Sequence, residues 1–337
     1  MNKILVVALI ALCACNFNED AFTLFKNFIK KYNKKYESME EFMARFNVFK
    51  SNILKLQSEK TSHKTGITKF SDLTQQEFAK KYLTLDFNAL ATINFQPTHP
   101  SRNDAPEAYD WRDQGYVSNV KDQASCGSCW AFSTVANLEG QYYKGKKVMK
   151  TFSEQMLVDC DTMDSGCSGG LMERTFTWLK NNGGIMEDKD YPYTGRKGTC
   201  AKDETKYVDM KITGYKKLGD CTSTWCKVPD EDIKNYLYET GPLAVALNAN
   251  YLSAYTGGIV DYDNKKCSLS GMNHAVTMVG YGRDDTEGKE YWIIKNSWGQ
   301  DWGEEGYFRI FKGNDESGNQ KCVCGICQYI TSGIVEF

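Results

Sequence analysis

The chain has 337 residues, 41% of them hydrophobic and 25% charged, with a formal net charge of −2. That mixture can build a large core and excludes collagen-like, low-complexity and mostly disordered chains. The near-neutral balance also lacks the basic excess of a dedicated nucleic-acid binder. Thirteen cysteines against three histidines point to an oxidising compartment or to metal sites.

Lys3 precedes an apolar run from Ile4 to Cys15, followed at once by the polar stretch Asn16–Asp20. This pattern reads as a secretory signal peptide over 1–15, with a buried N-terminal strand as the alternative. The run is shorter than the roughly 20 apolar residues of a membrane-spanning helix, so no membrane association is expected. Residues 16–104 then carry 14 basic and 10 acidic groups and no cysteine, a net of +4. Residues 105–337 carry 26 basic and 33 acidic groups, a net of −7, with 11 cysteines. Opposite charges predict two folding units that attract each other. The linker is expected in 95–106, where Pro97, Pro100, Ser101, Asn103 and Pro106 cluster.

The first unit reads as helical. Phe22, Phe25, Phe28, Ile29 and Tyr32 recur at helical spacing, as do Phe42, Phe46, Phe49, Ile53 and Leu56. Thr74 with Glu77 forms a capping-box pattern ahead of Phe78 and Tyr82. So small a unit is marginal alone and is expected to rest on a larger one. In the second unit, Ala131, Phe132, Val135, Leu138 and Tyr142 predict a helix after Cys129, and Ser153 is placed to cap another through Cys160. Alternating stretches predict strands at Leu243–Leu247, Ala275–Tyr281, Tyr291–Lys295 and Tyr307–Phe311. Helices first and strands later place the unit in the α+β class with two subdomains.

His63 and His99 fall in the basic unit, which leaves His274 as the imidazole of the second. The segment Gln123-Ala-Ser-Cys126-Gly-Ser-Cys129-Trp130 admits three readings. Cys126 and Cys129 form a redox dithiol, for which the βαβ context is missing; or they belong to a zinc knuckle, which needs a second ligand pair; or Cys129 opens a helix whose dipole stabilises a thiolate. An adjacent imidazolium would lower that thiol's pKa into roughly 3.5–7.5. Such a pair is an activated nucleophile with its own proton donor, suited to acyl transfer. Asn296, in Lys295-Asn296-Ser297-Trp298-Gly299, could orient the imidazole without neutralising its cation. The Cys129 N–H and the Gln123 side-chain amide are candidate oxyanion donors.

Gln123 through Trp130, followed in order by His274 and Asn296, resembles the papain-like cysteine proteases, the cathepsin group. The intervals from Cys129 are 145 and 167 residues, and the polar stretch Arg283–Glu290 reads as a loop insertion lengthening the second. Glu41, Arg45, Phe49 and Asn52 match the family's propeptide-helix motif, with Leu56 in place of Ile and Lys60 in place of Asn. Gly66, Phe70 and Asp72 match a second propeptide motif, with Thr68 where Asn is usual. Pro106 and Asp110-Trp111-Arg112 look like the start of the mature enzyme. Cys167-Ser168-Gly169-Gly170 and Asn296–Tyr307, with Trp298 and Trp302, extend the match.

The resemblance implies an α+β, papain-like two-subdomain fold, helical on the left and β-rich on the right, behind a helical inhibitory propeptide. The divisions are 1–15 signal peptide, 16–104 propeptide and 105–337 peptidase. It implies a secreted, lysosomal or vacuolar cysteine endopeptidase made as a zymogen, working through a Cys129 thiolate and a His274 imidazolium. Cys129 would attack the peptide carbonyl, and His274 would protonate the leaving amine and then activate water. Asn296 would fix the ring, Trp298 would shield that bond, and Gln123 with the Cys129 amide would hold the oxyanion. Gly169 and Gly170 would bind the substrate. The side chain two before the cut (P2) would enter a pocket of Leu171, Met172, Ala246, Met272, Ala275 and Tyr329, predicting an apolar preference.

Disulfides implied by the resemblance are Cys126–Cys167, Cys160–Cys200 and Cys267–Cys324. Cys221, Cys226, Cys322 and Cys327 allow three connectivities; Cys221–Cys226 with Cys322–Cys327 is the expected one and a zinc site the rival. No cofactor or metal is expected. Expected partners are peptide and protein substrates, the chain's own propeptide and cystatin-like inhibitors, for a monomeric enzyme. The body lacks the His pair of cathepsin B-like exopeptidases, which favours endopeptidase action. A catalytically silent, protease-shaped binding protein and a transglutaminase-like acyl transferase are the alternatives.

Overall fold

The computed structural model describes residues 20–85, 97–220, 227–263 and 265–337. The signal peptide expected over 1–15 and the Cys221–Cys226 bridge lie outside the described residues. The leader unit contains α1 (20–31), α2 (Met39–Ser58), the short strand β1 (Lys64–Thr65) and α3 (Gln75–Tyr82). Rings from α1 and α2 build its core: Phe25, Phe28 and Phe49 meet at centroid distances of 5.1–5.9 Å. The Ser38 side chain caps α2 by accepting from the Glu41 N–H, while the Glu41 carboxylate accepts from Glu37 N–H at 2.8 Å. α3 has the expected capping box between Thr74 and Glu77.

Polar side chains tie these helices to the turn before α3. Arg45 reaches both carboxylate oxygens of Glu77 at 2.8 Å. Asn52 donates to the Ser71 and Leu73 carbonyls at 2.9 Å each. Asp72 accepts from Lys34 Nζ at 2.9 Å and the Tyr36 hydroxyl at 3.0 Å.

The linker contributes β2 (Pro97–Thr98); the body begins with β3 (Tyr109–Asp110), continues through α4 (Cys129–Lys146), α5 (Glu154–Cys160), α6 (Met172–Asn182), β4 (Lys211–Leu218) and α7 (Asp230–Thr240), and then runs through β5 (Leu243–Leu247), β6 (Tyr255–Gly257), β7 (Ile259–Val260), β8 (His274–Asp284), β9 (Lys289–Lys295), β10 (Tyr307–Lys312) and β11 (Ile330–Glu336). One core joins α4, α5 and α6 through Trp130, Leu138, Met156 and Phe176; the other fills the sheet with Val245, Met278, Trp292 and Phe308. The sheet order is β2-β4-β11-β5-β8-β9-β10-β7, with β3 on β8 and β1 of the leader on β6. Cys126–Cys167, Cys160–Cys200, Cys267–Cys324 and Cys322–Cys327 are bridged.

Two stretches singled out in the sequence take the following form. Arg283–Glu290 forms the end of the β8–β9 hairpin, with Arg283 paired to Glu290 and Asp284 to Lys289. Asp284 Oδ1 accepts the Thr286 and Glu287 N–H groups at 3.0 and 3.2 Å, and Gly288 supplies a φ of +65°. The proline-rich linker is also not free along its described part. Pro97–Thr98 pairs with Lys217–Leu218 at the sheet edge, where a missing N–H is tolerated, and the Ser101 N–H bonds Glu239 at 2.7 Å.

Asn52→Ala leaves two carbonyls without their donor. It is expected to destabilise the leader unit by about 1–3 kcal/mol in urea unfolding of a Cys129→Ala chain, which cannot process itself; an unchanged midpoint contradicts this account of the motif.

Candidate active site

α4 packs along β8, with Ser133 Oγ donating to the Val276 carbonyl at 2.7 Å. The N-terminal residues of the two elements are thereby neighbours. Cys129, a free thiol, opens α4 and meets the backbone of Ala275, which follows His274 at the start of β8. The Cys126–Cys167 bridge ties the Gln123 loop to the stretch ending in Gly169 and Gly170.

Gln123 is fully buried with its carboxamide held at both ends. Oε1 accepts from Ser297 Oγ at 2.7 Å and Nε2 donates to the Cys126 carbonyl at 3.0 Å. An amide nitrogen has two hydrogens, so one remains for another acceptor. Asn296 Oδ1 lies 2.8 Å from His274 Nε2 and also accepts from the Ser297 N–H at 2.9 Å. A carbonyl oxygen only accepts, so Nε2 carries the hydrogen and Nδ1 of the neutral ring is left to take a proton. Trp298 stacks on the imidazole with centroids 4.8 Å apart and 28° between planes. Lys295, just before Asn296, bonds Ser118 Oγ at 2.9 Å; Ser118, Glu139, Lys121 and Glu154 continue a buried network that fastens this end of β9 to α4 and α5.

The leader's segment after α3 occupies the groove between these walls. Thr84 Oγ1 donates to the Gly127 carbonyl at 2.8 Å, Leu85 N–H to the Asn273 carbonyl at 3.1 Å, and Leu85 bridges Gly170. The Thr84 backbone meets the Cys129 thiol, and the Tyr82 backbone meets His274. A Cβ on Gly127 or Gly169 would collide with Thr84, so this close approach requires both glycines. Leu171, Met172, Ala246, Met272, Ala275 and Tyr329 share one buried apolar cluster, and Leu85 belongs to it.

This closure bears on the ionisation of both groups. Burial pushes Cys129 up to about 11 and His274 down to about 4. With water excluded, neither charged form is solvated, and between those values both groups are neutral. Both directions disfavour the thiolate–imidazolium pair while the segment is in place. Sequence reasoning also missed Thr84, Leu85, Asn273 and Ser297; the one local signal was that Thr84 and Leu85 directly follow the capped helix α3.

Comparison with known protein families matches residues 105–334 to the papain family cysteine protease domain and residues 25–78 to the cathepsin propeptide inhibitor domain. The chain belongs to the papain family of cysteine proteases. Probable cysteine protease RD19B of Arabidopsis thaliana is 41% identical, over 94% of this chain and 86% of its own length. Cysteine proteinase 15A of Pisum sativum is 40% identical, over 93% and 86%. A solved recombinant stem bromelain precursor superposes with a TM-score of 0.81 at 32% identity, covering 94% of this chain and all of that one.

This papain-family protease is a cysteine-type endopeptidase carrying its own inhibitory propeptide domain. Phe70 and Phe78 set their rings edge-on against Trp298, both at 5.3 Å, so the residue over His274 is also the docking surface. Gly66 N–H bonds the Ala254 carbonyl at 2.9 Å and Thr68 Oγ1 the Ser253 carbonyl at 2.6 Å. Among the described residues, ion pairs joining 20–85 to the body are Lys69 with Asp122 and Asp301, and Glu59 with Lys266. The last runs against the net charges. Rings and backbone therefore carry this contact, and charge attraction contributes little.

His63 lies within it, its ring edge-on to Tyr262 at 5.2 Å, with Nε2 3.3 Å from the Tyr262 hydroxyl. Burial, and then Lys266, lower its pKa to about 4. A neutral ring is required, so this contribution is complete above pH 6.5, the ordinary value, and is lost as the pH falls from there toward 4.

Iodoacetamide at neutral pH is expected to alkylate Cys129 at least about a hundredfold more slowly in the intact zymogen than after maturation, since the thiolate is the nucleophile; equal rates would refute the closed-site ionisation. His63→Gln is expected to flatten the rise in maturation rate between pH 6.5 and 4. An unaltered half-time profile removes His63 from that response.

Proposed function

We propose that the chain is made with a signal peptide at 1–15 and a propeptide at 16–104, enters the secretory route, and matures to a monomeric endopeptidase of residues 105–337. Removal of the segment over the groove returns water to Cys129 and His274. The amide dipoles at the start of α4 then favour a thiolate, and the proton passes from Cys129 Sγ to His274 Nδ1. Sγ attacks the peptide carbonyl carbon, and the Cys129 N–H with the remaining Nε2 hydrogen of Gln123 receives the oxyanion. Nδ1–H protonates the amine as the C–N bond breaks, leaving a thioester on Cys129. Water, giving its proton to Nδ1, attacks that thioester, and Sγ departs.

The observation that carries this reading is the bond from His274 Nε2 to Asn296 Oδ1. It commits one ring nitrogen as a donor and leaves the other as the base, while Trp298 stacks on the ring and keeps competing water away. The P2 side chain enters the cluster where Leu85 now sits, and its apolar walls favour an apolar residue. A discrimination of about 1–3 kcal/mol per methylene is the usual reach of such a pocket. Peptide and protein substrates use this groove, as do cystatin-like inhibitors. The destination is a lysosome, a vacuole or the exterior.

Gln123→Ala is expected to lower kcat by about 10²–10³-fold by removing one oxyanion donor. Cys129→Ala is expected to abolish both labelling by a thiol-directed epoxide and release of new amine termini from a denatured protein. A peptide library cut preferentially where Arg stands at P2, or cleavage surviving in Cys129→Ala, would overturn the reading.

A further inference from the structure

Asp122 and Asp301 of the body converge on one ammonium of the leader at the edge of the groove. Lys69 Nζ lies 2.5 Å from Asp122 Oδ2 and 3.8 Å from Asp301 Oδ1. The Lys69 side chain is only 16% exposed, although both carboxylates are close to half exposed, so the cation is seated rather than waving in solvent. A Cβ on Gly299 would come within 2.9 Å of Asp301 Oδ1, 3.2 Å of Asp122 Oδ2 and 3.3 Å of Lys69 Nζ. The three charged groups therefore meet over that glycine, whose φ of +76° also favours a residue without a side chain. Backbone bonds fix the two segments against each other. Gly299 N–H bonds the Lys121 carbonyl at 3.1 Å, Gln123 N–H bonds the Ser297 carbonyl at 2.8 Å, and Asp122 Oδ1 accepts the Ala124 N–H at 2.9 Å. The seat stands on the same backbone that carries Gln123 and Trp298.

The course of the leader tells which end of the groove this is. From Tyr82 to Leu85 it passes His274, then Cys129, then Gly170 and the apolar cluster assigned to P2. Lys69 lies at the other end, where Phe70, next to it, sets its ring edge-on to Trp298 at 5.3 Å. Lys69 falls inside the matched propeptide domain and leaves with it at maturation, whereas Asp122 and Asp301 remain. Among the described residues, both carboxylates have their ion pairs with Lys69 and none with a cation of the body. Two like charges held over one glycine then attract a new cation.

We propose that Asp122 and Asp301 form a subsite for a lysine or arginine side chain of the substrate, on the leaving-group side of the cut, and that Lys69 is the propeptide's own occupant of it. This rests on the P2 assignment made above, which sets the direction in which the substrate lies. An ammonium repeats the contact of Lys69, and a guanidinium can fork across the two carboxylates. Aspartate or glutamate at the same position meets two like charges and is disfavoured. The role of Lys69 is then occupation of a recognition site, which agrees with its small share in holding the two units together.

The test uses the matured enzyme at one fixed pH on a quenched peptide with Leu at P2. Each of the three positions after the cut carries Lys, Ala or Glu in turn. At one of them kcat/KM for Lys is expected to exceed that for Glu by about tenfold at low salt, chiefly through KM. The preference is expected to collapse in about 1 M salt, where the screening length is roughly 3 Å. Asp122→Asn and Asp301→Asn keep the shape of each side chain, and each is expected to cut the ratio by about two- to fivefold, the double variant leaving it flat. Lys and Glu cleaved equally at all three positions, with Leu still preferred at P2, overturn the subsite and leave the P2 assignment standing. A Lys preference that survives in the double variant overturns the role of these two carboxylates. Loss of the Leu preference at P2 overturns the assignment of direction on which the proposal rests.

Discussion

Exclusion of water from Cys129 and His274 is the constraint on which the zymogen depends. A thiol and an imidazole side by side exchange a proton readily only where both resulting ions are solvated or held by dipoles. The Tyr82–Leu85 segment removes the solvent, and burial drives the two groups toward their neutral forms from opposite directions. The same local geometry, with Asn296 committing Nε2 and Trp298 stacked on the ring, is already in place beneath the plug.

The propeptide achieves this with a core too small to be secure by itself. It borrows the body's aromatic surface: Phe70 and Phe78 complete a ring cluster around Trp298, which also packs on Trp302 at 4.8 Å. One indole thus serves both the docking rings and the stack on His274. That sharing explains why the net charges of the two units, though opposite, matter less than their rings. Exposed ion pairs pay side-chain entropy and are screened by salt, whereas a buried aromatic contact suffers neither loss.

Local physics left clear marks wherever an element depends on its own residues. The capping box of Thr74 and Glu77, the cap at Ser153 and the alternation of Leu243–Leu247 all appear where local rules put them. Elements stabilised chiefly by neighbours were silent. β4 and β11 carry Gly214 and Gly333 and mixed polarity, and they become strands by pairing with each other. α6 and α7 likewise gave no prior signal. Thr84 and Leu85 belong to no helix, and only the wall of another unit gives them a position.

The order of residue types along the chain was enough to determine the family and the α+β fold class. Cys129, His274, Asn296 and Gln123 are rare types in a specific sequence, and their reactivity is a property of the side chains themselves. Their state was decided only by tertiary structure. Solvation and dielectric depend on segments distant in sequence, such as Tyr82 against His274 or Thr84 against Cys129. Ionisation responds to everything within a few ångströms, and a linear order of residues does not contain that neighbourhood.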